Sequence, residues 1–527
     1  MAGTASVAKR VGLAALLLGA SQLLSRVLGI VREMVLAAEI GGAVPEVDAY
    51  RAAFQLPDLL NNFLAVGAIA TAFIPLYHRV TERDGEVAAD RFFANVWGTF
   101  SLVALVATVV LFALADRFVA LYFADFPPDV QALTVRLTRI VLPAQVLFVT
   151  GAIVRGVLMA KGRFGAQALA PVVYNLAIIL GGWIGAARIG VEGFAWGALV
   201  GAALGHFAIP LLDARGRVAL RMRIAPRDAD FRRYLWVVLP LLVGVTLVSA
   251  DEWLDRYFGQ FLEVGAIALL FYARVLMQAP VGLVGQAVGT AALPTLASLH
   301  EQGRVAELSA LVQRTLQATV ALGVLVAAAM VALAVPMVTL LYERGAFGPG
   351  DSAAVAGLVS VFCLGIPGWV VQTVAVRPFY ARGDTWRPMV LGTVVALFAI
   401  PLYAVLGPRF GTAGLAAAGA TAITVNAIGT LALGARLHGA PAAGPLLGAA
   451  LRAAAIAGVS AWAAHAASGA AQGAAPDAPA AAAAALGLLA GGAVFAGLAL
   501  AGLRAFGDAA TRVLLAGAVD RVRRRSS

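Results

Sequence analysis

Long apolar runs dominate this sequence, and short polar segments separate them along most of its length. Each run is long enough to cross about 30 Å of hydrocarbon as a helix. Helices satisfy all of their backbone polar groups internally, as a lipid environment requires. The pattern therefore predicts an all-α, polytopic membrane protein with about 14 transmembrane helices.

The polar segments alternate in charge along the chain. Basic residues concentrate in every second segment: Arg79, Arg83 and Arg91; Lys161 and Arg163; the arginines from Arg215 to Arg233; Arg304; Arg382 and Arg387; Arg436; and the tail from Arg521 to Arg525. The segments between them are poor in arginine or carry offsetting acids. Because basic loops stay in the cytoplasm, the alternation predicts that both termini are cytoplasmic.

A weak internal repeat divides the chain. Thr71, Ala72 and Pro75 recur as Thr290, Ala291 and Pro294 at a constant offset, and each block leads into a polar loop. The repeat predicts two parallel six-helix lobes around a central cavity, with two further helices at the C-terminal end. The predicted division is an N-terminal lobe at 1–213, a basic cytoplasmic linker at 214–233, a C-terminal lobe at 234–438, the two further helices at 439–505 and a basic cytoplasmic tail at 506–527.

Composition supports a membrane protein and excludes several other classes. Of the 527 residues, 61% are hydrophobic and 13% are charged, against about 25% charged in soluble proteins. The net charge of +11 would suit a nucleic-acid partner, but the arginines lie in short loops between apolar runs. The single cysteine, Cys363, excludes intrachain disulfides and cysteine-rich metal sites. The five histidines form no HExxH or nucleophile–base motif, so we expect neither a metal site nor an enzyme.

Two of the apolar segments carry ionisable residues along one helical face. In the first, Arg26, Gly29 and Glu33 share a face and Arg32 lies at its flank. In the second, a stripe roughly 80° wide is formed by Asp48, Arg51, Gln55, Asp58 and Asn62. A charge near the bilayer centre costs at least about 2.5–3.5 kcal/mol, so such residues face protein or water. The pattern predicts a hydrated cationic cavity for an anionic substrate; the alternative is a buried ion-pair seam between helices without a ligand.

A second group of charges lies further along the chain. Asp251 and Asp255 are one helical turn apart and carry like charge. They either hold a proton or cation, or meet an arginine from another helix, for which Arg274 is the candidate. The segment Met389–Leu406 has no carboxylate or amide, which weakens any sodium site that needs ligands from it. We expect no bound cofactor, and coupling of transport to the membrane potential, Na⁺ or H⁺.

Several motifs resemble the MurJ (MviN) lipid II flippases of the multidrug/oligosaccharidyl-lipid/polysaccharide exporter superfamily. They are SRVLGIVRE at 25–33, DAYRAAFQLPDLL at 48–60, AFIP at 72–75, GRFGAQALAPVVYN at 162–175 and FYARGDTWRP at 379–388. The resemblance implies a monomeric, multi-pass protein of the bacterial inner membrane that flips a lipid-linked peptidoglycan precursor by alternating access. In that family, cavity arginines bind the pyrophosphate and sugar, and Arg26, Arg32 and Asp48 fall at such positions. Arg51, Asn62 and Arg274 complete the expected substrate site, with Asp251 and Asp255 as the coupling site.

The sequence also departs from the family pattern. Asn61 and Asn62 stand where the family usually has an arginine pair, and Val66 replaces a usual acid. YARVL at 272–276 replaces YADRL, which puts Arg274 at the usual aspartate position. Two alternatives therefore stay open: a flippase or exporter of another polysaccharide-linked lipid, and a drug antiporter of the same superfamily. The arginines disfavour a cationic drug as the substrate.

Overall fold

The computed structural model describes residues 2–64, 66–243, 247–382 and 384–507. These residues are folded almost entirely into helices, and none of them forms a strand. Two compact units are present, Met1–Gly244 and Val245–Ser527. The predicted all-α class is confirmed.

The described part of the first unit contains eleven α-helices and one π-helical segment. They are α1 (Ala2–Glu39), α2 (Pro45–Ala53), α3 (Gln55–Phe63), α4 (Val66–Asp84), α5 (Glu86–Tyr122), α6 (Pro128–Val141), α7 (Ala144–Ala160), α8 (Gly165–Ile189), α9 (Glu192–Gly201), the π-helical segment Ala202–Ala208, α10 (Ile209–Ala214) and α11 (Ala229–Val243).

The second unit contains ten helices among its described residues. They are α12 (Leu247–Gly259), α13 (Ala266–Glu301), α14 (Val305–Ala332), α15 (Ala334–Tyr342), α16 (Pro349–Cys363), α17 (Ile366–Ala375), α18 (Arg377–Ala381), α19 (Trp386–His438), α20 (Ala443–Gly473) and α21 (Ala480–Phe506). α19 is two helices joined at Gly411, whose φ of 60° lies in the left-handed region.

Helix lengths and outward faces fit a lipid environment. Within the described ranges, eight helical segments are long and apolar enough to cross a membrane, or nine if Pro349–Cys363 and Ile366–Ala381, bent by 42°, form one span. α5 illustrates their faces: it buries Phe93 and Phe100 and leaves Val109 59% exposed. The chain is a polytopic membrane protein; the count of about 14 spans stays a prediction.

The polar stripe of the second segment does not lie on one continuous helix. The segment is divided into α2 and α3 at Phe54, so the expectation of a single long helix is wrong here. Pro57 has no N–H to donate to the carbonyl of Ala53, four residues earlier. The hydroxyl of Thr138, on α6, donates to that carbonyl instead, at 3.3 Å. A buried side chain from another helix thus satisfies the group that the proline leaves unbonded.

Helices α8 and α9 pack through glycines, which brings their backbones into direct contact. A Cβ added to Gly197 would lie 2.6 Å from the carbonyl oxygen of Ala177, and one added to Gly193 would lie 2.6 Å from that of Gly181. Such close approach is typical of small residues at four-residue spacing in membrane helices. This contact places α8, which carries Asn175, beside the π-helical segment.

We predict that Thr138→Val destabilises the protein by about 1–3 kcal/mol, because it leaves the buried Ala53 carbonyl without a donor. Thr134→Val is the matched control, since Thr134 is also buried on α6 and its hydroxyl donates to the carbonyl of Val130 in its own helix. Thermal unfolding in detergent compares the two variants. Equal losses of stability would contradict this account of the α2–α3 break.

Candidate functional site

The first unit buries one carboxylate between two guanidinium groups. Glu33 on α1 is fully buried and accepts two hydrogen bonds from Arg32, at 2.9 Å from Nε and 2.7 Å from Nη2. Its other oxygen accepts from Nη2 of Arg51 on α2. Arg51 is itself 5% exposed. The three side chains have two positive charges and one negative, so the group carries a net charge of +1.

A third helix orients the Arg32 side chain. Asn175 on α8 accepts a hydrogen bond from Arg32 Nη1 at 3.2 Å. Its amide nitrogen donates to the Ser25 hydroxyl at 3.1 Å and to the Pro171 carbonyl at 3.0 Å. These bonds fix which end of the Asn175 amide faces the guanidinium. Arg32 is held by α1 and α8 together and remains 24% exposed in its side chain.

Of the other residues expected at the substrate site, Arg26, Asp48 and Asn62 lie in the same unit, whereas Arg274 lies in the second unit. The residue Arg26 is partly exposed, and its side chain has no hydrogen bond or ion pair within the described part of the chain. Asp48 is buried, with 5% exposure. The amide nitrogen of Asn62 is buried and has no hydrogen-bond partner among the described residues. Arg26 therefore keeps its charge available, while Arg32 and Arg51 share one carboxylate.

The second unit shows the converse arrangement, one guanidinium between two carboxylates. Arg274 on α13 donates from Nη1 to Asp251 and from Nη2 and Nε to Asp255, the Nε bond at 3.0 Å. All three residues are at most 5% exposed. Their net charge is −1. One oxygen of Asp255, Oδ1, is buried with no hydrogen-bond partner among the described residues.

Further residues of the second unit complete this group. Tyr403 on α19 donates its hydroxyl to Asp251, and a Cβ on Gly419 would lie 2.5 Å from the same carboxylate. The guanidinium of Arg274 also lies over the ring of Phe362, 4.7 Å from its centroid, a favourable cation–π distance. The segment Met389–Leu406 lacks carboxylates and amides, but it contributes the Tyr403 hydroxyl to this group.

The sequence pattern identified the charged residues of both groups but missed their neutral partners. Asn175 and Tyr403 are polar residues within apolar stretches of α8 and α19, and that setting is the signal that could have identified them. Gly419 gives no such signal, because its role depends on the close approach of α12 and α19. Of the two possibilities for Asp251 and Asp255, the meeting with Arg274 is observed.

Comparison with known proteins agrees with the resemblance in the motifs. A sequence profile of the family described as lipid II flippase MurJ matches residues 37–472. A probable lipid II flippase MurJ from Rhizobium meliloti (strain 1021) is 31% identical over 424 residues, which cover 78% of each chain. A lipid II flippase MurJ from Burkholderia cenocepacia is 29% identical and covers 79% of this chain and 82% of its own.

Solved structures with the same fold include a lipid II flippase MurJ in an inward closed conformation. It has a TM-score of 0.76 at 22% identity and covers 93% of this chain and 99% of its own. An inward-facing multidrug resistance transporter of the MATE family, in the MOP superfamily, has a TM-score of 0.65 at 15% identity, covering 79% and 94%. At these identities the likeness concerns the fold alone.

Proposed function

Because the chain belongs to the lipid II flippase MurJ family, we propose that it translocates lipid II, an undecaprenyl-pyrophosphate-linked saccharide, across the bacterial inner membrane by alternating access. The observation that carries the proposal is the family match over residues 37–472. The arginines of the first unit support it, since a diphosphate is an anion that arginine's planar fork binds bidentately. The function is transport, with no catalytic step, and the working unit is a monomer.

Within this proposal, Arg26 is the first contact of the diphosphate. It lies on the helix that carries SRVLGIVRE and has no ion pair within the described ranges. Arg32 lies about 9 Å further along the helix axis, a distance that a diphosphate and its first sugar can bridge. Asn175 orients Arg32, and Arg51 neutralises the carboxylate that would otherwise repel the anion. Asp48 and Asn62 are assigned to the sugar, as hydrogen-bonding groups.

The second unit is assigned to energy coupling. Its buried group has a net charge of −1, and the Asp255 oxygen without a described partner is a place for a proton or a sodium ion. Arg274 is already matched by two carboxylates, which supports a role in shaping this coupling site rather than in holding the anionic head group. No resident cofactor is needed.

A different substrate of the same superfamily is the second candidate. The two asparagines at Asn61 and Asn62, where the family usually has arginines, favour a lipid-linked saccharide other than lipid II. Rescue of cells depleted of their own lipid II flippase separates the two: growth supports lipid II, and failure of a well-expressed protein to rescue supports the other saccharide.

We predict that Arg26→Ala abolishes translocation and that Arg26→Lys is also severely impaired, because lysine keeps the charge but loses the bidentate fork. The measurement is binding and translocation of lipid II at matched protein levels. Arg188→Ala removes an exposed arginine at the end of α8 and should leave both unchanged. Normal translocation by folded Arg26→Ala would mean that the charged faces form only a structural seam.

We predict that Asp255→Asn abolishes gradient-driven transport while lipid II still binds, because the coupling carboxylate is lost. If these residues only anchor Arg274, the single variant should instead lose stability, and adding Arg274→Gln should partly restore it. Transport assays with and without an imposed ion gradient distinguish the two roles, together with thermal unfolding of both variants. Unchanged transport in Asp255→Asn would remove the coupling role.

The proposed topology puts both termini and the basic linker in the cytoplasm. Met222 within that linker is 57% exposed, and Cys363 is buried. In a Cys363→Ser background, we expect Met222→Cys to react with an impermeant maleimide in inverted vesicles and not in spheroplasts. Labelling from the periplasmic side would overturn the topology.

A further inference from the structure

The first unit contains a second buried arginine that the proposed site does not use. Arg155 on α7 is 8% exposed. Its Nε donates to Oε1 of Gln167 on α8 at 3.0 Å, and its Nη1 donates to the carbonyl oxygen of His206 at 3.0 Å. Both acceptors are neutral. Across the described residues Arg155 has no ion pair, so its charge is not compensated there.

One of these bonds has a clear structural cause. Pro210, at the start of α10, has no N–H to donate to the carbonyl of His206, four residues earlier. His206 lies in the π-helical segment Ala202–Ala208. Gly151 on α7 permits the approach, since a Cβ there would lie 1.6 Å from the His206 oxygen. Arg155 therefore donates to a carbonyl that Pro210 cannot serve.

Donating to the His206 carbonyl does not account for the positive charge of Arg155. Capping a carbonyl needs one neutral donor, as Thr138 shows at Ala53, whereas burying an unpaired guanidinium has a large desolvation cost. Nη2 of Arg155 has no partner among the described residues, and the buried Nδ1 of His206 has none either. In the tautomer that protonates Nδ1, both atoms are donors. An anion would match a group with surplus charge and surplus donors.

We propose that Arg155 binds a phosphate-class oxyanion and forms an entry subsite for the anionic head group before it reaches Arg32. The entry role rests on the proposed function. Arg155 is anchored on α8 at Gln167 and Arg32 is anchored on α8 at Asn175, about 12 Å apart along the helix axis. Gln167 lies near the start of α8, next to the basic segment that the proposed topology puts in the cytoplasm.

The two anchors are connected by contacts within the same unit. The ring of His206 lies against that of Tyr174, with centroids 5.5 Å apart, and Tyr174 precedes Asn175. An anion that moves from Arg155 to Arg32 would therefore pass along α8, from one guanidinium to the next, beside the rings of His206 and Tyr174.

The decisive variant is Gln167→Glu. It places a carboxylate where Arg155 now meets an amide oxygen, so the guanidinium keeps its contacts and gains an internal counterion. We expect inorganic pyrophosphate to bind the purified full chain at least about tenfold more weakly, because the added charge competes with the anion. Calorimetric titration is done in an Arg26→Ala background, which separates this subsite from the proposed head-group site. Gln302→Glu, an exposed change of equal charge, should leave the affinity unchanged.

Each outcome has a defined meaning. Weaker binding of pyrophosphate in the Arg26→Ala background, together with weaker binding of lipid II by Gln167→Glu in the otherwise wild-type chain, supports an entry subsite for the head group. Weaker binding of pyrophosphate alone supports the oxyanion site with a soluble phosphate as its ligand and overturns the entry role. Unchanged pyrophosphate binding overturns the site and leaves Arg155 as a carbonyl cap. If Gln167→Glu does not fold, Arg155→Gln keeps a donor for the carbonyl and should show the same loss.

The pyrophosphate result is independent of the proposed function, although the entry role is not. If Arg26→Ala translocates lipid II normally, the head-group site is wrong, yet the pyrophosphate titration still tests Arg155. If Arg26→Ala is inactive and Gln167→Glu binds pyrophosphate normally, the head-group site stands and only the subsite fails.

Discussion

Burial of charge is the constraint on which the rest of the structure depends. An ionised side chain removed from water needs an opposite charge or a complete set of hydrogen bonds. In hydrocarbon no water is present to supply those hydrogen bonds, so other parts of the protein must do so. In the first unit, Glu33 lies between two arginines. In the second unit, Arg274 lies between two aspartates. Because partners come from different helices, these groups also determine which helices must stay in contact. The proposed roles follow from the majority sign in each group: arginines for an anionic substrate in the first unit, and carboxylates for a cation in the second.

Backbone carbonyls follow the same rule as side-chain charges. A proline cannot donate to the carbonyl four residues earlier, and at two such carbonyls a side chain from a neighbouring helix donates instead. Thr138 serves the carbonyl upstream of Pro57, and Arg155 serves the one upstream of Pro210. The first donor is neutral and needs no further explanation. The second donor, Arg155, also buries a positive charge. A hydrogen bond to a carbonyl does not require that charge, and this is why we assign Arg155 to anion binding.

The contacts in the structure bear on the positions where the sequence departs from the family pattern. Asn61 and Asn62 remove the positive charge that the resemblance led us to expect on α3. Arg51 on α2 donates to Glu33 and offsets its negative charge. The chemistry needed for an anion is thus retained in this unit, although the individual positions have changed.

The sequence by itself determined the class of fold and most of the charged residues of the candidate site. Apolar runs of membrane-spanning length and charges at helical spacing are local patterns, and both can be read without knowing which helices meet. Family motifs such as SRVLGIVRE added the expected substrate. Only the tertiary structure decided that Arg274 lies between two aspartates, that Asn175 orients Arg32 and that Arg155 is buried beside neutral acceptors. These facts depend on contacts between helices far apart in the chain, and no spacing within one helix specifies which distant partner will satisfy a buried charge.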